Sequence, residues 1–342
     1  MRVAIVVLAC LMCCGEVSAQ ALLHSTTELP PVATAPAPPT PAPARSVDTG
    51  SGIFRSGVDL VSLNVIVTDQ KDNFVTGLAQ KDFAVFEDGV QQDLSFFAVT
   101  NVPLDLAILL DTSSSMSDKM STVQQAAVGF ASHLRQGDRI MVVGIKDSAR
   151  TLHPLDTDVS GASEAIRRVS ASGSTALYNA VYTTIRQMEK VRAVDGEVRR
   201  QAIAVLTDGD DTASLVTFDD LLALSKQAGI AIYTIALKST YPTISVTGRK
   251  YFSESEFALK ALALETGARS FFPTDISQLA GVYDQITQEL SNQYAIGYTS
   301  KNPKRDGAFR RIVVRVTESN VRTRTRSGYQ ATPLPPQSSA NQ

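Results

Sequence analysis

The sequence of 342 residues predicts an α/β fold, a doubly wound and mostly parallel sheet inserted in, or flanked by, a small β-sandwich. Two observations support this class. From Leu104 to Leu290, short apolar runs alternate with longer amphipathic segments, as in a parallel sheet covered by helices on both faces. Before and after this block, apolar and polar residues alternate with a period of two, which is typical of antiparallel strands.

Residues 1–19 have the pattern of a signal peptide. Arg2 forms a short basic region, Val3 to Met12 is almost wholly apolar, and small residues precede a cleavage point at Gln20. The apolar run is too short to span a bilayer comfortably, which favours cleavage over an amino-terminal membrane anchor. We therefore expect an exported protein, periplasmic or secreted, without a transmembrane segment after cleavage.

The exported chain is predicted to contain no disulfide. Cys10, Cys13 and Cys14 are the only cysteines of the sequence, and all three lie inside the signal segment. Core packing without disulfides must therefore stabilise the exported fold. Residues 20–52 are rich in Pro and Ala and cannot bury a core, which indicates an extended linker. Residues 332–342 are also polar, and we expect a disordered tail there.

Residues 53–102 are predicted to form an N-terminal β segment. Its first strand is the alternating run from Val61 to Val67, and Phe83 to Glu87 is a second, shorter strand. Asp88-Gly89 is a strong hairpin signal, after which Val90 to Val99 returns as a third strand.

Residues 103–292 are predicted to form the α/β domain. Gly229 and Gly267 stand where helices should end before the next strand, the position that favours glycine. The predicted strands are 104–110, 139–145, 201–206, 230–237 and 270–272, and the predicted helices are 120–134, 176–191, 218–227, 256–266 and 279–290.

Residues 293–331 are predicted to form a C-terminal β segment. Residues 294–298 and the alternating run 312–316 are two strands, and 321–329 follows a turn as the last strand. The N- and C-terminal β segments are each too small to be stable alone. We therefore expect them to pair into one sandwich around the α/β domain.

Arg322, Arg324 and Arg326 fall on one face of the last predicted strand. Three arginines in a row are compatible with an anion site. A solvated strand face is the simpler interpretation, and it is the one that we expect.

Several functional classes find little support in the sequence. The net charge of −2 argues against a nucleic-acid partner. Neither a phosphate-binding Gly-x-x-x-x-Gly-Lys nor a Gly-x-Ser-x-Gly elbow occurs. The histidines, His24, His133 and His153, have no evident partner in the sequence, so a histidine-dependent mechanism is poorly supported.

Asp111-Thr-Ser-Ser-Ser115 follows directly on the predicted strand 104–110. Asp111, Ser113 and Ser115 should therefore share one tight loop at the carboxyl edge of the sheet, where ligands bind in open α/β folds. One carboxylate and two hydroxyls are hard oxygen ligands suited to Mg²⁺, Mn²⁺ or Ca²⁺.

Two further segments offer oxygen ligands at the same edge. Thr175 lies in a Gly-Ser-Thr loop that opens a predicted helix, and Asp208 lies in a Thr-Asp-Gly segment after an apolar strand. Asp, Ser and Thr are also common helix caps, which would explain any one of these residues alone. The convergence of all five residues is better explained by a metal site.

These three segments, in this order, resemble the metal-ion-dependent adhesion site (MIDAS) of the von Willebrand factor type A domain. The resemblance covers about residues 103–292. It implies that Asp111, Ser113 and Ser115 hold the ion, with Thr175 and Asp208 coordinating directly or through water. Mg²⁺ is the expected ion, and Mn²⁺ and Ca²⁺ are the alternatives.

The flanking segments resemble a family of predicted secreted bacterial proteins related to the same domain. In that family a β segment precedes the domain and another follows it. The motifs that carry the likeness are Val75-x-Gly-Leu78, Asp82-Phe83, Glu87-Asp-Gly89, Tyr294-x-Ile-Gly-Tyr298 and the run from Arg322 to Tyr329.

The ligand set favours binding over catalysis. Two carboxylates neutralise the charge of a divalent ion, whereas hydroxyl oxygens donate little electron density to it and leave it electrophilic. An acidic side chain of a protein partner can then fill the open coordination position. A phosphatase with an aspartyl nucleophile would carry a second Asp at position 113, which is Ser113 here. We expect a non-enzymatic, metal-dependent adhesion module. The alternatives are a structural scaffold of an envelope complex and, with less support, a Mg²⁺-dependent hydrolase.

Overall fold

The structure is a computed structural model. The predicted signal peptide, linker and tail, residues 1–19, 20–52 and 332–342, lie outside the described residues. In the described part of the chain, no helix is both long enough and apolar enough to cross a membrane. The residues that the structure describes are 60–99, 102–195, 198–208, 210–237 and 254–331.

The described residues form fourteen strands and six α-helices. The strands are β1 Leu60–Asp69, β2 Phe83–Glu87, β3 Val90–Gln92, β4 Leu94–Val99, β5 Leu104–Asp111, β6 Arg139–Ile145, β7 Ala149–Asp156, β8 Arg200–Thr207, β9 Ala231–Ala236, β10 Ser270–Phe271, β11 Tyr294–Thr299, β12 Phe309–Val316, β13 Val321–Arg324 and β14 Gly328–Gln330. The helices are α1 Met120–Ala131, α2 Val159–Arg167, α3 Leu177–Asp195, α4 Phe218–Ala228, α5 Glu254–Glu265 and α6 Leu279–Ser291.

The central sheet has six strands in the order β10-β9-β8-β5-β6-β7. All neighbouring strands are parallel except β7, which runs antiparallel to β6 at one edge. Every residue of β5 and β8 is buried. One apolar cluster contains side chains of α1, α2 and α6, and another contains side chains of α3 and α4. The predicted doubly wound α/β fold is confirmed.

The sequence predicted no element between β6 and α3, where the structure has β7 and α2. Strand β7 is at an edge, its only buried residue is His153, and it contains Pro154, so it lacks the apolar run of a central strand. Helix α2 is short and is capped by Asp158, whose carboxylate accepts the Gly161 N–H at 2.9 Å.

Two antiparallel four-stranded sheets form the predicted sandwich, with strand orders β13-β1-β11-β4 and β14-β12-β2-β3. Each sheet combines strands that precede the α/β domain with strands that follow it. Their inner faces share one apolar core, which includes Leu63, Val85, Ile296 and Val314. Strands distant in sequence thus share two sheets and one core.

The single strand predicted over residues 90–99 is wrong, because the chain divides at Asp93 into β3 and β4. Strand β3 pairs with β2, whereas β4 pairs with β11 in the other sheet. Strands change sheet at such corners in sandwiches, and alternation alone does not reveal the change because both halves remain extended.

Glu87 is a buried carboxylate inside the sandwich. It accepts hydrogen bonds from the hydroxyls of Tyr298 at 2.9 Å, Tyr329 at 3.0 Å and Ser300 at 2.6 Å. Burial, with the negative charge of Glu87, raises the pKa of Tyr298 far above its usual value. This network joins the strands that precede the α/β domain to those that follow it.

The solvated face expected for the last three arginines is wrong for two of them. Only Arg322 is largely exposed. Arg324 pairs with Glu289 of α6 at 2.6 Å, and Arg326 is half-buried, with its guanidinium desolvated, which lowers its pKa to about 10. Gly267 has a φ of +79°, and a Cβ there would lie 2.5 Å from the backbone nitrogen of Arg326, so the last strands pack closely against the ends of the domain helices.

Tyr298→Phe removes one donor from the buried Glu87 carboxylate. We expect the free energy of unfolding to fall by about 2 kcal/mol, the range for a hydrogen bond to a charged group. Urea unfolding of the full chain measures the change. Tyr182→Phe is the control, since its hydroxyl lies 3.5 Å from Arg186 on a partly exposed helix face. Equal effects of the two substitutions would contradict the role given to Glu87.

Candidate metal-binding site

Asp111 ends strand β5 with its carboxylate fully buried, at 0 % exposure. One carboxylate oxygen accepts the Ser113 N–H at 2.9 Å, and the other accepts the Thr207 hydroxyl at 2.7 Å. Among the described residues, no cationic side chain lies at ion-pair distance from Asp111. Both donors are neutral, so the burial of this charge is uncompensated by the protein groups in contact with it.

Asp105, at the other end of the same strand, provides a comparison. It is also buried, but Arg139 binds both of its oxygens at 2.8 Å and Arg199 binds one at 2.7 Å. Burial alone would raise the pKa of Asp105, and the two arginines outweigh it and lower the pKa. Thus β5 carries two buried carboxylates, of which only the one at the amino end contacts arginine.

Ser113, Ser115 and Asp208 continue the cluster. The hydroxyl oxygens of Ser113 and Ser115 are 3.0 Å apart, and Ser115 donates to Asp208 at 2.7 Å. Ser113 is buried, whereas Ser115 is exposed. The structure therefore brings four of the five predicted residues into one cluster, which opens to the surface at Ser115.

Thr175 reaches this region through its loop. Gly173 and Ser114 bind each other reciprocally, with Ser114 N–H to the Gly173 carbonyl at 3.1 Å and Gly173 N–H to the Ser114 hydroxyl at 3.0 Å. Thr175 is buried two residues further along. In the described part of the chain, its hydroxyl forms no hydrogen bond to Asp111, Ser113, Ser115 or Asp208.

The loop after β8 secures Thr175 from the other side. The N–H of Thr212 donates to the Thr175 carbonyl at 2.8 Å. The Asp211 carboxylate accepts the Tyr178 N–H at 3.2 Å at the start of α3. Burial, together with the carboxylates of Asp211, Glu254 and Asp210, raises the pKa of the Tyr178 phenol. This flank of the site is acidic.

Two side chains of the cluster were missed by the sequence analysis. Lys119 forms a close ion pair with Asp208, and Thr207 orients Asp111. Thr207 directly precedes Asp208, so its place at the same sheet edge was available from the predicted end of strand 201–206. Lys119 lies four residues after Ser115, and that helical spacing was the only signal for its position.

The donors present fit a hard divalent cation. Two carboxylates and three hydroxyls supply only oxygen, the ligand type that Mg²⁺, Mn²⁺ and Ca²⁺ prefer. Within the described ranges, no three His, Cys, Asp or Glu side chains converge, so no alternative cluster of these ligands competes with it. Here Asp111 and Asp208 would supply the charge, and the serine and threonine hydroxyls would complete the protein ligands.

Comparison with known proteins gives relatives of modest similarity. A UPF0353 protein of Mycolicibacterium paratuberculosis is 23 % identical over 222 residues, covering 61 % of this chain and 67 % of that protein. A UPF0353 protein of Mycobacterium leprae is 24 % identical over 210 residues, covering 56 % and 62 %. The chain thus spans about two thirds of the length of these relatives, or less.

Among solved structures, a von Willebrand factor type A protein from Catenulispora acidiphila matches with a TM-score of 0.46 and 14 % identity, covering 82 % of this chain and 76 % of that one. Proximal thread matrix protein 1 from the mussel byssus, with a zinc-occupied MIDAS motif, has a TM-score of 0.46 and 15 % identity. That match covers 60 % of this chain and 50 % of the mussel chain.

The sequence profile of the von Willebrand factor type A domain matches residues 105–285, more than half of the 342 residues. The matched range includes all five predicted ligands. The chain belongs to the von Willebrand factor type A domain family.

Proposed function

We propose that this chain is an exported, non-enzymatic binding module that presents a divalent cation to an acidic side chain of a partner protein. The observation that carries the proposal is the buried Asp111 carboxylate, whose two oxygens accept only neutral donors. A buried carboxylate is costly without a compensating cation. A divalent ion bound beside Ser113 and Ser115 supplies that charge.

The exposure of the cluster suits a binding role. Asp111 and Ser113 are buried beneath the ion position, and Ser115 is exposed at its rim. The oxygen ligands supplied by this chain therefore lie on one side of the ion position only. Hydroxyl oxygens donate little electron density to a metal ion, so the ion remains electrophilic toward a carboxylate that arrives from the solvent side.

The spacing of the oxygens is that of neighbouring ligands around a hard divalent cation such as Mg²⁺. Ligands at right angles around Mg²⁺, each about 2.0–2.1 Å from the ion, lie about 2.9 Å apart. The Ser113–Ser115 and Ser115–Asp208 distances are 3.0 and 2.7 Å. Ca²⁺ has longer bonds, about 2.3–2.6 Å, but gathers more ligands around it, so it accommodates similar oxygen spacings.

The non-enzymatic part of the proposal is supported by the positions of two histidines. Nδ1 of His133 is 2.8 Å from the carbonyl oxygen of Gly129, and Nε2 of His153 is 2.8 Å from Asp156. Both contacts lie outside the cluster. Neither imidazole is available to the ion position as a general acid or base in this arrangement. Export rests on the sequence pattern of residues 1–19.

Asp111→Asn tests the metal site with little change in side-chain shape. We expect Mg²⁺ affinity to fall by about a hundredfold, the upper end of the loss for a residue that supports a metal site. In chelator the variant should be at least as stable as the parent, since an uncompensated buried charge is gone. Calorimetric titration and thermal unfolding measure the two effects.

Asp118→Asn is the matched control for this experiment, because Asp118 is exposed in the same turn and contacts none of the predicted ligands. Protein capture from a cell-envelope extract then tests the function. A partner should be retained with Mg²⁺ by the parent and by Asp118→Asn, and lost with chelator or with Asp111→Asn. Equal retention in all conditions would contradict the proposal.

Lys119→Met removes the ammonium group that pairs with Asp208. Since this group and the metal compete for one carboxylate, Mg²⁺ should bind about fivefold more tightly, matching an ion pair worth roughly 1 kcal/mol. Lys190→Met, at an exposed position of α3, should leave the affinity unchanged. Unchanged or weaker binding by Lys119→Met would show that Lys119 does not compete with the ion.

A further inference from the structure

A pocket with cationic walls lies beside the candidate metal site, on the side of β6 and β7. Its volume is about 100 Å³, enough for a carboxyl group with several water molecules. None of the described residues that line it is acidic. The residues that matter here are Thr112, Lys146, Arg150, Leu152, Arg168 and Ser170.

The positive charges of this pocket are poorly compensated. The Lys146 ammonium donates a hydrogen bond to the Ser172 hydroxyl at 2.6 Å. As far as the chain is described, no carboxylate lies at ion-pair distance from Lys146 or Arg150. Arg168 pairs with Glu164 one helical turn away, but these side chains are 74 % and 59 % exposed, so water screens their attraction.

The pocket and the metal site are built on the same loops. Thr112, in the pocket wall, stands between Asp111 and Ser113, and its carbonyl accepts the Ser172 N–H at 2.7 Å. The Lys146 carbonyl accepts the N–H of the residue after Thr175 at 2.6 Å. An extended ligand advances roughly 3.3–3.6 Å per residue, so neighbouring side chains of one partner segment can reach both places.

We propose that this basic pocket is a second subsite, which binds another carboxylate of the partner segment whose first acidic side chain completes the metal. The inference rests on the proposed function. Lys146 and Arg150 supply charge-assisted hydrogen bonds. Leu152 offers an apolar wall for the methylene groups of the acidic side chain. The partner is thus an extended protein segment with two acidic residues close in sequence.

The charge of the opposite flank gives this segment a direction. Asp210 and Asp211 lie in the loop after β8, on the other side of the cluster, near Glu254. Like charges facing each other across an interface are strongly disfavoured. A second carboxylate is therefore repelled from this flank and attracted to the basic pocket.

Fluorescence polarisation with synthetic peptides tests the subsite on the full chain. One labelled probe is a glycine heptapeptide with a single aspartate at its centre. The others add a glutamate one, two or three positions away on either side. With Mg²⁺, at least one diacid probe should bind about tenfold more tightly than the monoacid probe, the gain from roughly one charge-assisted hydrogen bond.

The double variant Lys146→Gln/Arg150→Gln should lose that tenfold gain and keep the Mg²⁺-dependent binding of the monoacid probe. Lys71→Gln/Lys81→Gln removes the same charge from exposed positions of the sandwich segment and should keep the gain. Mg²⁺-dependent binding of all probes with equal affinity would overturn the subsite alone. An equal loss in both double variants would overturn it as well, because net charge would then explain the gain. If no probe binds in a Mg²⁺-dependent way, the proposed function fails, and the subsite fails with it.

Discussion

The carboxylate of Asp111 is the constraint on which the rest of the site depends. It is buried at the carboxyl end of the central strand β5, held by the Ser113 amide and the Thr207 hydroxyl. Asp105 at the opposite end of β5 is neutralised by two arginines. Because no described cationic side chain contacts Asp111, the fold has a buried negative charge that an external cation can neutralise.

The surrounding architecture keeps this charge in place. Parallel pairing of β5 with β8 sets Leu110 opposite Leu206, which brings Thr207 beside Asp111. The reciprocal bonds between Ser114 and Gly173 then join the loop after β5 to the loop before α3. These paired strands and joined loops position the ligands, as a preorganised binding site requires. The sandwich is assembled from strands that precede and follow the α/β domain in the sequence.

The sequence was most informative where local pattern and tertiary position coincide. Apolar runs marked the central strands, and polar residues directly after them had to meet at one edge of the sheet. Where long-range partners decide, prediction failed. The edge strand β7 lacks an apolar run, and the corner at Asp93 is invisible in an alternating pattern. Arg326 loses part of its solvent exposure through packing against Gly229 and Gly267, which are distant in sequence. Lys119 joined the cluster through a contact with Asp208, 89 residues away.

Anomalous X-ray scattering from crystals grown with Mn²⁺ tests the central claim most directly. The account predicts one anomalous peak in the cluster, bounded by the hydroxyls of Ser113 and Ser115 and by the carboxylates of Asp111 and Asp208. Lys119 should have left Asp208 when the ion is bound. A cluster without an anomalous peak at saturating Mn²⁺, with Lys119 still paired to Asp208, would contradict it.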